Sequence, residues 1–341
     1  MRSLAVWVLP AYQRDVLFAV ESPMNRDDCL APFHALKREL EAKGWRCHTQ
    51  DVFMTRNEVP TDVLFLDMPS ENPKSTIGAW GATSRCHLLI QECEVVLPRN
   101  WDPARHEDFT TVFTWHPELI EKRSRYRETN FAQKLVQPGN GVAFDARKFC
   151  TLIAGNKGSS HPFELYSKRV EAIRYFEKHD PKSFDLYGVG WDKLEHSNLL
   201  FKVLNRFPTV AKALAPKFPS YRGKVANKRA TLETYRFAIC FENARDIPGY
   251  VTEKIFDCLM AGCVPVYWGS PDIASRIPDD CFIDFRKFDG FDDLSKFMKS
   301  YSSTQFHAFL EATRSFLATP AAQRYDASFF ARSLTEGITS K

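Results

Sequence analysis

The most informative stretch of the sequence is RFAICFENARDIPGYVTEKIFDCLMAGCVPVYWGSPDI, residues 236–273. An apolar run, 237–241, ends in Glu242-Asn243. A loop with Pro248 and Gly249 follows, and a helix is expected to start near Thr252, a residue type that caps helix N-termini. In an open α/β sheet, ligands bind at the carboxyl ends of the strands. A helix beginning there offers unpaired N–H groups and the positive end of its dipole, a seat for a phosphate. Lys254 in the first turn is unfavourable for the helix itself, because cations are disfavoured at that end, yet it is well placed to meet a diphosphate. Glu253 beside it can accept hydrogen bonds from ribose hydroxyls. The bland alternative is a surface helix with one misplaced lysine. A second set of reactive groups is Glu92-Cys93-Glu94, which follows the apolar run 88–91. That places two carboxylates at a strand's carboxyl end, where a general base can act; their bland reading is ordinary surface charge.

These groups need a frame, and the sequence supplies one by alternating strands and helices. Residues 4–9, 63–67 (VLFLD), 88–91 and 110–115 read as strands, the short apolar runs typical of a buried parallel sheet. Residues 32–43 read as a helix, with Phe33, Leu36 and Leu40 on one face and Gly44 as the stop. The pattern restarts near Lys148: strand 149–154, helix 162–176, strand 183–187, strand 237–241, helix 252–261 and strand 263–267. This alternation implies an α/β layer structure. The turn-rich QPGNGVAFDA at 137–146 marks the boundary. The expected organisation is a first domain at 1–142, a second at 143–318 and a helical tail at 319–341 packing back onto the first.

The bulk numbers agree with two domains. The chain has 341 residues, 44% hydrophobic and 26% charged, with 28 phenylalanines to fill two cores. A net charge of +4 gives no sign of nucleic-acid binding and fits a protein that holds an anionic ligand. The nine cysteines form no CxxC pair and sit largely in apolar runs, so they read as buried, reduced thiols of a cytoplasmic protein. No apolar run reaches the length of a membrane span.

FEN, GYVTEK and AGCVPVYWGSP together resemble the signature of the α-1,3/1,4-fucosyltransferases, glycosyltransferase family 10, nearly unbroken over about 35 residues. Weaker similarity covers 149–156, the helix after it and FDLYGVGW at 184–191; in the first half it is patchy, chiefly LLIQECEVVLPRNWD at 88–102. The resemblance implies the GT-B architecture, two Rossmann-like domains facing a central cleft, with a GDP-sugar, GDP-fucose by the family's habit, held by the second. It implies inversion at the sugar carbon without an obligatory metal or other cofactor. It places Asn243, Tyr250, Glu253 and Lys254 on the donor, with Thr252 at the helix start and Gly188 of the FDLYGVGW patch counted with them. An arginine in the helix after the second domain's first strand meets the diphosphate; Arg169 is the best match and Lys168 the alternate. A glutamate at the end of the matching first-domain strand is the base: Glu92 is preferred and Glu94 kept, because the residues that follow depart from the family pattern. The implied acceptor is an oligosaccharide or glycolipid carrying N-acetylglucosamine or glucose, as in a bacterial surface lipopolysaccharide.

Other features carry less. His106, His116, His161, Trp101 and Trp115 can touch substrate but fit core packing as well. No DxD is present, and the acid pairs Asp27-Asp28, Glu107-Asp108 and Asp279-Asp280 read as turns or helix starts, so no metal site is expected. The basic residues Lys202, Arg206, Lys212, Lys217, Arg222, Lys224 and Lys228 form either a solvated face or a peripheral contact with anionic membrane. A dehydrogenase reading fails because Gly188-Val189-Gly190 is half a fingerprint, with Lys193 where the third glycine belongs. A P-loop fails because GNKGSS lacks its Gly-Lys-Ser/Thr ending. A non-catalytic sugar-binding protein remains as the rival. Oligomeric state is not legible.

Overall fold

The structure, a computed structural model, describes residues 2–139, 141–193, 206 and 215–340. Eleven strands are assigned among them: β1 Ser3–Trp7, β2 Arg46–Thr49, β3 Asp62–Leu66, β4 Arg85–Leu89, β5 Thr111–Thr114, β6 Tyr126–Glu128, β7 Lys148–Ile153, β8 Phe184–Tyr187, β9 Tyr235–Phe241, β10 Val264–Trp268 and β11 Ile283–Asp284. The longer helices are α1 Ala31–Ala42, α2 Tyr166–His179, α3 Glu253–Met260, α4 Phe291–Ser300, α5 Ser303–Leu317 and α6 Ala327–Thr339. The chain divides into two compact units. Unit 1 comprises Met1–Leu135, Pro248–Tyr250 and Pro320–Lys341; unit 2 comprises Val136–Ile247 and Val251–Thr319.

Unit 1 is built on a six-stranded parallel sheet, order β2-β1-β3-β4-β5-β6. Successive residues of a strand face opposite sides, and here both sides are dry. Leu4, Val6, Leu64, Leu89 and Phe113 pack with Phe33, Leu36 and Leu40 of α1 and Phe330, Leu334 and Ile338 of α6. Ala5, Val63, Phe65, Leu88 and Val112 pack on the other face with Phe53, Trp80 and Phe109. Burial on both faces is why these strands read as continuous apolar runs. The last helix completes the unit: Phe330 meets Phe33 edge-on at 5.5 Å, and Gly337 lies so close to β5 that a Cβ there would sit 2.6 Å from the Phe113 ring.

Unit 2 is built on a five-stranded parallel sheet, order β11-β10-β9-β7-β8. Counting each unit's strands from its own first, both sheets contain the doubly wound 2-1-3-4-5 order. The order reverses between the first and third strands, β1/β3 and β7/β9, and that switch point is where such sheets bind ligands. The α/β class with two parallel sheets agrees with the sequence expectation.

Three details differ from that expectation. The chain enters unit 2 at Val136 and re-enters unit 1 at Pro320, rather than at 143 and 319. The Val136 N–H donates to Met260 Sδ at 3.3 Å and Arg229 donates to the Gln137 carbonyl at 3.3 Å, so the supposed linker already belongs to the second unit. Helix α2 begins at Tyr166, not near Pro162, because the preceding residues pair with another backbone: Leu165 N–H donates to Asn243 O at 3.1 Å and Arg245 N–H to Phe163 O at 2.8 Å. The short edge strands β2, β6 and β11 were not anticipated. All nine cysteines are free thiols, eight of them buried and Cys29 exposed. Among the described residues no helix is long and apolar enough to cross a membrane. Lys202 and Lys212 of the basic stretch lie outside the described residues; Arg222 pairs with Asp185 and Lys228 with Asp257.

Gly337→Ala tests the α6–β5 approach. Overpacking of this kind should lower stability by about 1–3 kcal/mol, read as a fall in the midpoint of urea denaturation at unchanged slope.

Candidate functional site

In unit 2 the switch point places the loops after β7 and β9 side by side. Helix α2 follows the first loop and α3 the second, so both helices start at the carboxyl edge of the sheet. β9 is followed directly by Glu242, whose side chain is fully buried. A buried carboxylate must be hydrogen-bonded or paired with charge, and Glu242 has both. Oε1 accepts the Thr252 N–H at 2.8 Å, while Oε2 accepts the Thr252 hydroxyl at 2.7 Å and the Lys254 ammonium at 3.1 Å. Lys254 also donates to Thr252 Oγ1 at 2.8 Å. Thr252 holds the N-cap position of α3 but makes no side-chain capping bond; its hydroxyl donates to Glu242 and accepts from Lys254 instead. The expected capping role is therefore not what Thr252 performs; it links Glu242 to Lys254, and the α3 N-terminus has no side-chain cap from it.

The charges are set by this arrangement. Burial pulls the Lys254 ammonium down, but the Glu242 and Glu253 carboxylates outweigh it and hold the group above its ordinary value, so it stays cationic at neutral pH. Burial pushes the Glu253 carboxyl up; Lys254 and Lys228 overcome it and hold that carboxyl at about 2. Arg169, in the first turns of α2, is buried and donates from Nη2 to Phe241 O at 2.7 Å and Asn243 Oδ1 at 3.0 Å. Its charge acts on Lys254. Arg169, Asn243, Thr252, Glu253 and Lys254 are thus brought together. Two cations and the start of a helix at one sheet edge can stabilise charge building on a diphosphate.

One predicted donor residue lies elsewhere in unit 2. Lys168 points away to Glu171, 2.6 Å from its carboxylate on the exposed face of α2, so Arg169 and not Lys168 joins the cluster. Tyr250 belongs to unit 1, where its ring is buried against Trp115 at 5.1 Å and Phe131 at 5.7 Å. Gly188 has a structural reason to be glycine: at φ +139° its Cβ would fall 1.7 Å from the Ala154 carbonyl oxygen.

In unit 1, Glu92 and Glu94 follow β4 and are both half-buried. The backbone at Glu92 is tied on both sides. Its N–H donates to Asp67 Oδ1 at 3.0 Å, and its carbonyl accepts Asn100 Nδ2 at 3.0 Å and Trp101 Nε1 at 3.2 Å. Glu94 sits in the turn that follows. Between them Cys93 is buried, which pushes its thiol up to about 11. Trp115 is core and His106 is buried between Asn100 O and Tyr126 Oη. His161 accepts a loop N–H from Phe163, so these two histidines serve structure. Among the described residues no group of three or more His, Cys, Asp or Glu side chains could hold a metal ion. Sequence reading missed Glu242, Asp67 and Asn100; the signal for the first two was an acid ending an apolar strand.

Glu242→Gln removes the charge opposite Lys254 and turns a donor toward a donor. It should lower stability by about 1–3 kcal/mol, measured by chemical denaturation. Acid titration gives a second check. The folded value of Glu253 lies below the ordinary 4.3 or so, so its stabilising contribution is complete above that value and disappears as pH falls through about 2. In Lys254→Met the folded value of Glu253 should rise, so the loss should be smaller and end at a higher pH.

Comparison with known proteins bears on the same stretch. Residues 163–326 match the family described as glycosyltransferase family 10 (fucosyltransferase) C-term. The chain is 39% identical over 87 residues to the α-(1,3)-fucosyltransferase FucT of Helicobacter pylori, 26% of this chain and 18% of that protein. It is 36% identical over 83 residues to GDP-fucose protein O-fucosyltransferase 3 of Gallus gallus, 24% of this chain and 17% of that protein. These matches span under a fifth of either relative's length. In fold, the whole chain superposes on 91% of an α1,3-fucosyltransferase crystallised with GDP-fucose, TM-score 0.53 at 15% identity. It also superposes on all of Anabaena HepE, crystallised with UDP and glucose, TM-score 0.58 at 10% identity. Both are GT-B glycosyltransferases. Arg169, Asn243, Thr252, Glu253 and Lys254 all lie inside the segment, residues 163–326, that matches glycosyltransferase family 10.

Proposed function

We propose that the chain is an inverting glycosyltransferase that moves L-fucose from GDP-fucose to a hydroxyl, O3, of a glycan containing N-acetylglucosamine or glucose. The observation that carries this reading is the cluster at the β7/β9 switch point, where Glu242 holds Lys254 and Thr252 at the start of α3 and Arg169 stands beside Asn243, inside the segment that matches the family.

Unit 2 is the donor unit in this reading. Lys254, Arg169 and the first N–H groups of α3 take up charge on the diphosphate, and Glu253 accepts from the ribose hydroxyls. Unit 1 receives the acceptor. The acceptor oxygen attacks the anomeric carbon as its proton passes to the Glu92 carboxylate. The bond from that carbon to the diphosphate oxygen breaks and GDP leaves with the electron pair, so the anomeric configuration inverts. Chain cations carry the charge neutralisation, so the reaction needs no metal. The setting that goes with a glycolipid acceptor is the cytoplasmic face of a membrane, touched peripherally.

The first test is binding and slow hydrolysis of GDP-fucose, GDP-mannose, UDP-glucose and NADH by the purified protein. Selective turnover of GDP-fucose, unchanged by EDTA, is expected. Turnover of another GDP-linked deoxy sugar would reassign the donor, and preference for UDP-glucose or NADH would remove the reading. Lys254→Ala should cut transfer by at least a hundredfold, on the scale of about 2.7–4 kcal/mol for one lost charge-stabilising donor, and weaken GDP binding. Glu92→Gln should abolish transfer and spare GDP affinity. A protein that binds the donor but never turns it over would be the non-catalytic relative.

A further inference from the structure

Asp67, Asn100 and the backbone of Gln91-Glu92 form a bonded knot at the ends of β3 and β4 in unit 1. Asp67 follows β3 in the left-handed region, φ 63°, a conformation that costs a non-glycine residue energy and persists only where the surroundings impose it. Its Oδ1 alone accepts three bonds: Gln91 N–H at 2.7 Å, Glu92 N–H at 3.0 Å and Asn100 Nδ2 at 2.7 Å. Asn100 is fully buried and uses its amide in both senses. Nδ2 donates to Asp67 and to the Glu92 carbonyl, and Oδ1 accepts the Met68 N–H at 2.7 Å. The Asn100 carbonyl is in turn held by His106 Nε2 at 2.8 Å, and Trp101 Nε1 adds a second donor to the Glu92 carbonyl at 3.2 Å.

Both backbone polar groups of Glu92 are therefore bonded to side chains, outside any ladder or helix. A loop at a strand end normally leaves such groups to water. Tying them from three residues fixes the peptide planes on either side of one Cα, and with them the direction of its Cα–Cβ bond. Glu94, two residues on, lies in the turn 94–96 and has no equivalent backbone tie among the described residues: the carbonyl that the turn uses is that of Cys93, which accepts from Val96 at 3.0 Å and Leu97 at 2.8 Å.

We infer that Asp67 and Asn100 are positioning residues for the Glu92 carboxylate, holding it for proton abstraction and marking Glu92, not Glu94, as the base. The inference rests on the glycosyltransferase reading above. The strain at Asp67 keeps its oxygen under the Gln91-Glu92 amides, and Asn100 locks the carbonyl side. A base displaced by about 1 Å loses rate on the order of a hundredfold, whereas donor binding in unit 2 does not depend on the knot.

The experiment compares Asp67→Gly, Asp67→Asn, Glu92→Gln and Glu94→Gln with the wild-type chain, using GDP-fucose and an N-acetylglucosamine-terminated acceptor. Asp67→Gly accepts the left-handed backbone without strain but removes the clamp, so loss of activity does not reflect a failure to fold; its thermal transition and GDP affinity check this. Asp67→Asn keeps both the backbone preference and one acceptor oxygen. Expected are a kcat of transfer about a hundredfold lower in Asp67→Gly with donor KM and GDP affinity unchanged, recovery to within about fivefold in Asp67→Asn, and abolition in Glu92→Gln but not Glu94→Gln. Wild-type kcat in folded Asp67→Gly, with Glu92→Gln inactive, overturns the positioning role alone. Wild-type kcat in Glu92→Gln overturns the base assignment and this inference with it. A loss of GDP affinity in Asp67→Gly, parallel to the loss of kcat, also overturns the inference, since a positioned base has no part in donor binding.

Discussion

A carboxylate taken wholly out of water must find hydrogen bonds and countercharge or give up its proton. Glu242 meets that requirement with two groups of Thr252 and the ammonium of Lys254, and much of the arrangement in unit 2 follows from it. The demand fixes where the loop after β9 returns, because Thr252 must present both its N–H and its hydroxyl to the same side chain. It engages that hydroxyl with Glu242, and α3 starts without a side-chain cap from Thr252. It holds a lysine in the first turn of a helix, where the dipole alone would disfavour it.

The sheet topology explains why this requirement falls at a binding edge. In the 2-1-3-4-5 order the loops after β7 and β9 leave in opposite directions, and the gap they open is lined by whatever stands at the two strand ends. Arg169 enters from one side through the short antiparallel pairing of residues 163–165 with 243–245, and Glu242-Asn243 from the other. Unit 1 repeats the order, and there too an acid ending a central strand, Asp67, organises the neighbouring loop. The two units use the same device with different partners: a lysine in one, backbone amides and an asparagine in the other.

The sequence made much of this legible, for identifiable reasons. Buried parallel strands are apolar throughout, so the central ones stood out, as did the restart near Lys148. The edge strands β2, β6 and β11 are short and mixed in composition, and they escaped. Lys254, Glu253 and Arg169 were accessible through residue type, helix position and family resemblance. Tyr250 was not assignable to its unit, because three residues of a loop, Pro248–Tyr250, belong with a core more than a hundred residues earlier in the chain, and no local pattern reports that. Asn100 was invisible for a similar reason: its partners Asp67, Met68 and Glu92 converge only once β3 and β4 are paired. The start of α2 was misplaced because propensity cannot register that Phe163 and Leu165 bond to the backbone of another strand's loop.

The place of α6 has a consequence for how the chain is made. Phe330, Leu334 and Ile338 close one face of the first sheet, yet they are made long after the strands they cover. That face must therefore wait with α1 alone packed on it while some two hundred residues between β6 and α6 are synthesised. Unit 2, nearly continuous from Val136 to Thr319, can complete its core first. The usual N-terminal-first order of folding during synthesis is thus inverted by topology. During translation the half-covered first sheet is the segment open to misassociation.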